Sequence, residues 1–263
     1  MILDQFNLQG KRALVTGATH GLGMSMAKAL GEAGATLIIN GHSSQQKIDD
    51  AVKQYQELGI TAHGYKFNVT LEEEVKEYIA KIESEVGPID ILVNNAGIIK
   101  RIPITEMKLS EWEEVIRTDL TAPFLISKIV VPGMIERKQG KIIHVCSMMS
   151  ELGRDTVAAY AAAKGGLKML TRNMATEWAK YNIQVNGIGP GYFATSQTAP
   201  LRVAGNPFHE FILSRTPAGR WGEPDELGGA IVFLASGASD FVNGQILYVD
   251  GGILATIGKP ITP

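Results

Sequence analysis

Seven short runs rich in Val, Ile and Leu recur along the chain, each separated from the next by a longer stretch of helical periodicity. They are RALVT (12–16), ATLIIN (35–40), HGYKF (63–67), DILVN (90–94), KIIHVC (141–146), QVNGI (184–188) and QILYV (245–249). Strands that are apolar on both faces have to be covered on both, and strands joined through helices run parallel. The pattern therefore predicts an α/β fold with a doubly wound, seven-stranded parallel sheet. Helices are expected over MSMAKALGEAG, IDDAVKQYQELG, LEEEVKEYIAKIESEVG and AAYAAAKGGLKMLTRNMATEWAKY.

No composition shift divides the 263 residues, and 45% hydrophobic content is enough for one large core, so a single domain over 1–263 is expected. The connections are short except at 189–223, GPGYFATSQTAPLRVAGNPFHEFILSRTPAGRWGE, whose aromatics and aliphatics predict an ordered lid over the strand ends. A net charge of −2 with acids and bases interspersed offers no basic stripe for nucleic acid and no polybasic segment for a membrane, which leaves a small-molecule partner. The single Cys146 excludes an internal disulfide, and no secretory leader is visible, so a reducing, cytoplasmic setting is expected. No apolar run approaches the roughly 20 residues of a spanning helix. The five histidines lack metal-ligand spacing, so no catalytic metal is expected.

Directly after the first run comes TGATHGLG, with Gly17, Gly21 and Gly23 ahead of a helix. Glycines there let the backbone turn tightly and approach a pyrophosphate at the positive end of that helix, although a tight strand-to-helix turn would read the same. NNAG (94–97) leaves the fourth run with two side-chain amides, suited to hold neighbouring loops, and a small pair that lets a cofactor ring approach. The second run ends in IINGHSS. Gly41 stands where a ribose-binding acid would be expected, and His42 and Ser43 offer donors for a 2′-phosphate, which favours NADP while leaving NAD possible.

Ser147 follows the fifth run, and Tyr160 and Lys164 lie one helical turn apart in the small-residue helix AAYAAAKGGL. TGxxxGxG, NNAG, a serine thirteen positions before Y-x-x-x-K (160 − 147 = 13) and PG after the sixth run together resemble the short-chain dehydrogenase/reductase family, across essentially the whole chain. The resemblance implies a single Rossmann-type domain, an NAD(P) cofactor, hydride transfer at a carbonyl carbon and a homotetramer or homodimer. It implies that Ser147 polarises the carbonyl oxygen, that Tyr160 is the acid and base, and that Lys164 supplies charge and holds the nicotinamide ribose. Cofactor contacts are then expected at Gly17, Thr19, His20, Gly21, Leu22, Gly23, His42, Ser43, Asn68, Val69, Asn95, Ala96, Gly97, Tyr160, Lys164, Pro190, Gly191 and Thr195.

Two positions depart from the family pattern. TDLTAPF carries Asp119 where an asparagine usually supports a proton relay, so Asp119 is expected either as a fourth catalytic member or as a partner that alters the charge balance at Lys164. Asn68 replaces an aspartate near the adenine. The segments SMMSELGRDTVAAYAAAKGGLKMLTR, NIQVNGIGPGYFAT and RTPAGRWGEPDEL resemble the sugar-acid dehydrogenases of the family, which implies interconversion of D-gluconate and 5-keto-D-gluconate. The 2-dehydro-3-deoxy acid or a carrier-bound oxoacyl chain is the alternative. A sugar acid needs a cation for its carboxylate and partners for its hydroxyls, for which Arg101, Glu151, Arg154 and Tyr192 are candidates beside Ser147 and Tyr160. A hydrolase reading of Ser147 lacks flanking elbow glycines and a placed His and acid. A dinucleotide-sensing regulator would have no need of Ser147, Tyr160 and Lys164.

Overall fold

The computed structural model describes residues 1–258, so the end of the expected 1–263 span lies outside the described residues. Its centre is a seven-stranded, all-parallel sheet in the order β3-β2-β1-β4-β5-β6-β7. The strands are β1 (Arg12–Thr16), β2 (Thr36–Gly41), β3 (Ala62–Lys66), β4 (Ile91–Asn94), β5 (Gly140–Val145), β6 (Ile183–Pro190) and β7 (Ile246–Val249). All seven apolar runs thus form strands, each end within two residues of the expected position. The helices are α1 (Gly21–Glu32), α2 (Gln45–Glu57), α3 (Glu72–Glu85), α4 (Leu109–Ile116), α5 (Ala122–Arg137), α6 (Ala158–Trp178), α7 (Pro207–Arg215) and α8 (Gly228–Ala235).

Alternation along each strand divides the core into two layers. Val15, Leu37, Ile39, Val93 and Ile143 face α1, α2 and α8 through Met26, Leu30, Ile48 and Ile231. Leu14, Ile38, Leu92, Ile142 and Val185 face α3, α5 and α6 through Ile79, Ile82, Ile126, Val130 and Met174. This two-sided burial is why the runs read as continuously apolar. β1 pairs with β2 on one side and β4 on the other. The connections leave β1 and β4 in opposite directions, so a crevice opens at their carboxyl ends, where open α/β sheets bind ligands.

α4 and α5 are halves of one helix, joined by a π turn at Arg117–Thr121. There the Ala122 N–H donates to the Arg117 carbonyl, five residues back. Pro123 has no N–H to give the Asp119 carbonyl, so an ordinary α turn cannot be completed across this point. The joined helix, Leu109–Arg137, is long and apolar enough to cross a bilayer, contrary to the expectation from the apolar runs. In its most apolar window 44% of the residues are buried inside the fold. The 189–223 segment is ordered: Phe193, Ile212 and Trp221 are buried, and Phe193 bridges to Gly222.

Candidate active site

The turn after β1 is built for close backbone approach. Gly17 and Gly21 adopt φ of +64° and +58°, a region side chains other than glycine avoid. A Cβ on Gly23 would lie 2.3 Å from Asn95 Nδ2 and 2.5 Å from the Gly17 carbonyl. Asn95 ties this turn to the β4 exit: its Nδ2 donates to the Thr16 and Gly17 carbonyls at 2.8 and 3.0 Å, while the Asn95 and Ala96 N–H groups donate to Thr16 Oγ1. No side chain caps α1, whose first residue follows an extended His20. The N–H groups of Gly21, Leu22 and Gly23 therefore form a donor set for an anion at a positive helix end. Thr19 and His20 hydrogen-bond each other beside it, at 3.1 Å. Gly23→Ala is expected to displace Asn95 and lower affinity for a nicotinamide dinucleotide at least about tenfold, measured by fluorescence titration. Unchanged binding would remove this turn from the site.

At the end of β2, a Cβ on Gly41 would press on Ile48 and Thr19 at 2.9 and 3.0 Å, so a carboxylate side chain has no room there. His42 and Ser43 follow, both exposed. Ser44 caps α2 through the Lys47 N–H. Asn68 Oδ1 is taken by the Thr70 N–H and hydroxyl, leaving its Nδ2 as the free donor beside buried Val69.

Ser147 lies just past β5 and Tyr160 and Lys164 share one face of α6. The Met149 N–H donates to Ser147 Oγ at 3.1 Å, so that hydroxyl keeps its own hydrogen to donate outward. Lys164 Nζ lies 5.5 Å from the Tyr160 ring centroid, donates to the Val145 carbonyl at 2.8 Å and is 3.3 Å from Asp119 Oδ2. Both members of that pair are buried, and Asp119 Oδ1 accepts from the Ile98 N–H at 2.8 Å. Burial opposes the charge on Lys164, but Asp119, Tyr160 and Cys146 outweigh it and its pKa lies above the ordinary lysine value. Burial pushes the Asp119 carboxyl up, against the pull of Lys164 and the Ile98 amide. Of the two readings of Asp119, the geometry fits pairing with Lys164. Gly97 leaves room for the acid, since a Cβ there would meet Asp119 Oδ2 at 2.8 Å. Burial raises Cys146 to about 11, so it stays a thiol among core residues.

Below these groups a polar chain crosses the apolar layer. Asn94 Nδ2 donates to Ser127 Oγ, and His144 touches Ser127 at 3.4 Å and Thr171 at 2.9 Å. The Thr171 hydroxyl donates to the Leu167 carbonyl, so His144 Nδ1 must carry the hydrogen and Nε2 must accept from Ser127. Burial lowers His144 to about 3, and the chain is neutral at ordinary pH. It fixes β4, β5, α5 and α6 to one another beneath Ser147 and Lys164.

The wall opposite Tyr160 is aromatic. Tyr192 packs edge-on against Phe208 and Trp221, with centroids 5.9 and 5.6 Å away, and Arg154 Nη1 donates to its hydroxyl at 3.1 Å. Burial pushes the Tyr192 hydroxyl up, opposed by Arg154 and then by Arg101. The Ile102 N–H donates to the Thr156 carbonyl at 2.8 Å, which joins the loop of Arg101 to the loop of Arg154. Thr156 itself holds φ +64°, an uncommon state for a β-branched residue. Arg101 is exposed. Pro190 and Gly191 end β6 against Asp250, and Thr195 opens the following turn, its carbonyl accepting from Arg202.

Glu151 Oε1 accepts from Lys168, one turn beyond Lys164 on α6, and from the Tyr248 hydroxyl, so the carboxylate is held between α6 and β7 with Oε2 outside both bonds. Sequence reasoning missed Thr16, the Val145 carbonyl, His144, Phe208 and Trp221. Only the aromatics inside the long 189–223 segment carried a readable signal.

A family model described as enoyl-(acyl carrier protein) reductase matches residues 17–254. A Formosa agariphila protein, 2-dehydro-3-deoxy-D-gluconate 5-dehydrogenase, is 68% identical over 99% of this chain and 98% of its own length. The 5-keto-D-gluconate 5-reductase of Escherichia coli K12 is 51% identical over 97% of this chain and 99% of its own. A crystal structure of a Burkholderia cenocepacia gluconate 5-dehydrogenase, in complex with NADP and tartrate, superposes with a TM-score of 0.93 at 45% identity, covering 98% of this chain and all of that one.

Proposed function

Because the chain belongs to the short-chain dehydrogenase/reductase family, we propose that it is an NADP-dependent oxidoreductase interconverting the alcohol and ketone at carbon 5 of a six-carbon sugar acid, D-gluconate and its 5-keto form. The observation that carries this is the pairing of Tyr160 with a buried, charged Lys164 beside Ser147, at the carboxyl end of β5. The names of the relatives share the reaction at carbon 5 and differ only at carbons 2 and 3. The 68% identity to the Formosa agariphila protein favours a second reading, in which the substrate is the 2-dehydro-3-deoxy acid.

NADP, when bound, exchanges a hydride with the substrate carbon. The free donors at the start of α1 would hold its phosphates, with the turn at Gly17 and the small pair Ala96 and Gly97 allowing close approach. His42 and Ser43, exposed past a β2 end with no acid, would meet the 2′-phosphate. The free Ser147 hydrogen is directed to the substrate oxygen, where it stabilises developing charge. Tyr160 gives that oxygen its proton in reduction and takes it back in oxidation. Lys164 keeps its charge beside the phenol because Asp119 balances it. The 189–223 segment closes the site as a lid. The assembly we infer is a homodimer or homotetramer in the cytoplasm, and exposed Phe241 and Leu247 near β7 fit such a contact.

The test is absorbance at 340 nm with each cofactor and each acid. The Michaelis constant for NADP is expected to be lower than for NAD, and the reverse order would overturn the cofactor assignment. A higher kcat/KM on the 2-dehydro-3-deoxy acid than on D-gluconate selects the second substrate reading. Activity confined to acetoacetyl thioesters would reject both.

A further inference from the structure

We infer that Phe208, on α7 of the lid segment, is a positioning residue that holds Arg154 in place to receive the substrate carboxylate, so that recognition of the acid group requires the lid to be seated. The inference rests on the sugar-acid reading.

Three observations carry it. The Arg154 guanidinium carbon lies 5.1 Å from the Phe208 ring centroid, so one face of the guanidinium is covered by the lid. Its Nη1 is anchored to the Tyr192 hydroxyl, and Tyr192 packs edge-on against the same Phe208. Among the described residues no carboxylate pairs with Arg154, although Lys100, Lys141, Lys168 and Arg220 each hold an acid. With one face stacked and one nitrogen anchored, Nε and Nη2 remain as a planar pair of donors, which is the geometry that binds a carboxylate in two parallel hydrogen bonds. Arg101 also lacks an acid but is exposed and holds no such anchor, so it would lose more rotamer freedom on binding. The stack on Phe208 belongs to a segment that is separate in sequence from both arginines. Removing the ring should therefore affect acid recognition more than the polyol contacts of Ser147 and Tyr160.

The test is isothermal titration calorimetry of the NADPH-loaded protein, in which no oxidation occurs, with D-gluconate and with D-glucitol, which has a hydroxymethyl group in place of the carboxylate. The unsubstituted protein should prefer D-gluconate. Arg154→Gln should abolish that preference, and Phe208→Ala should reduce it about tenfold, with D-gluconate binding weakened far more than D-glucitol binding. Phe208→Tyr should restore it. If Phe208→Ala weakens both ligands equally, the ring is only packing and the inference fails. Preference retained in Arg154→Gln overturns it too, with the sugar-acid reading intact. No preference in the unsubstituted protein overturns that reading and the inference together.

Discussion

Tyr160→Phe should lower turnover about a thousandfold while leaving NADP affinity unchanged. The substitution removes one oxygen from a ring that packs with Ala159, Ala163 and Val157 at the base of α6, so the fold has no reason to change. What disappears is the group that exchanges a proton with the substrate oxygen. Ser147 still polarises that oxygen, which leaves residual activity above the uncatalysed level. Initial rates at 340 nm, paired with an NADPH fluorescence titration, separate the two outcomes. Near-normal turnover with intact cofactor binding would refute the assignment of Tyr160.

Lys164→Met should abolish activity and also cost about 3–5 kcal/mol of stability, because it strands a fully buried carboxylate. The Lys164→Met, Asp119→Asn double variant should recover most of the stability and none of the activity. The pH dependence identifies the cause. Burial raises the Asp119 pKa in the folded state, and without Lys164 it rises further. A raised folded-state value gives stability that is present below the unfolded pKa, about 4, and is lost as pH rises through the folded one. The single variant should therefore fall progressively behind the double between about pH 4 and the folded-state value. Denaturant midpoints across that range measure it, and a constant gap would show that the loss is one of packing alone.

Much of this was legible in the sequence because the signals are local. A strand buried on both faces must be apolar throughout, so β1 to β7 could be placed to within two residues, and the glycines at 17, 21 and 23 announced a turn. Ser147, Tyr160 and Lys164 were readable because strand end and helix face fix where they point. Partners distant in sequence were not. The Lys168 and Tyr248 donors that hold one oxygen of Glu151 are brought to it by α6 and β7. Phe208 is 54 positions from Arg154 (208 − 154 = 54), and nothing local in NPFHEF announces a stacked guanidinium. The long apolar helix was hidden because its polar residues interrupt each run, and only the π turn reveals that 109–137 is continuous.

That π turn has a rotational consequence. It inserts one residue beyond the α repeat, so α5 leaves it turned by about 100° relative to an uninterrupted helix. α4 must aim Val115 at Ala159 and Ala163 of α6, while α5 must aim Ile126 and Val130 at the sheet. A single regular helix could satisfy only one of these two angular demands. The π turn is thus a phase shifter, and Asp119 sits on it. Deleting one residue of 117–121 other than Asp119 would remove that phase shift, force one half to rotate off its partner and carry the carboxylate away from Lys164.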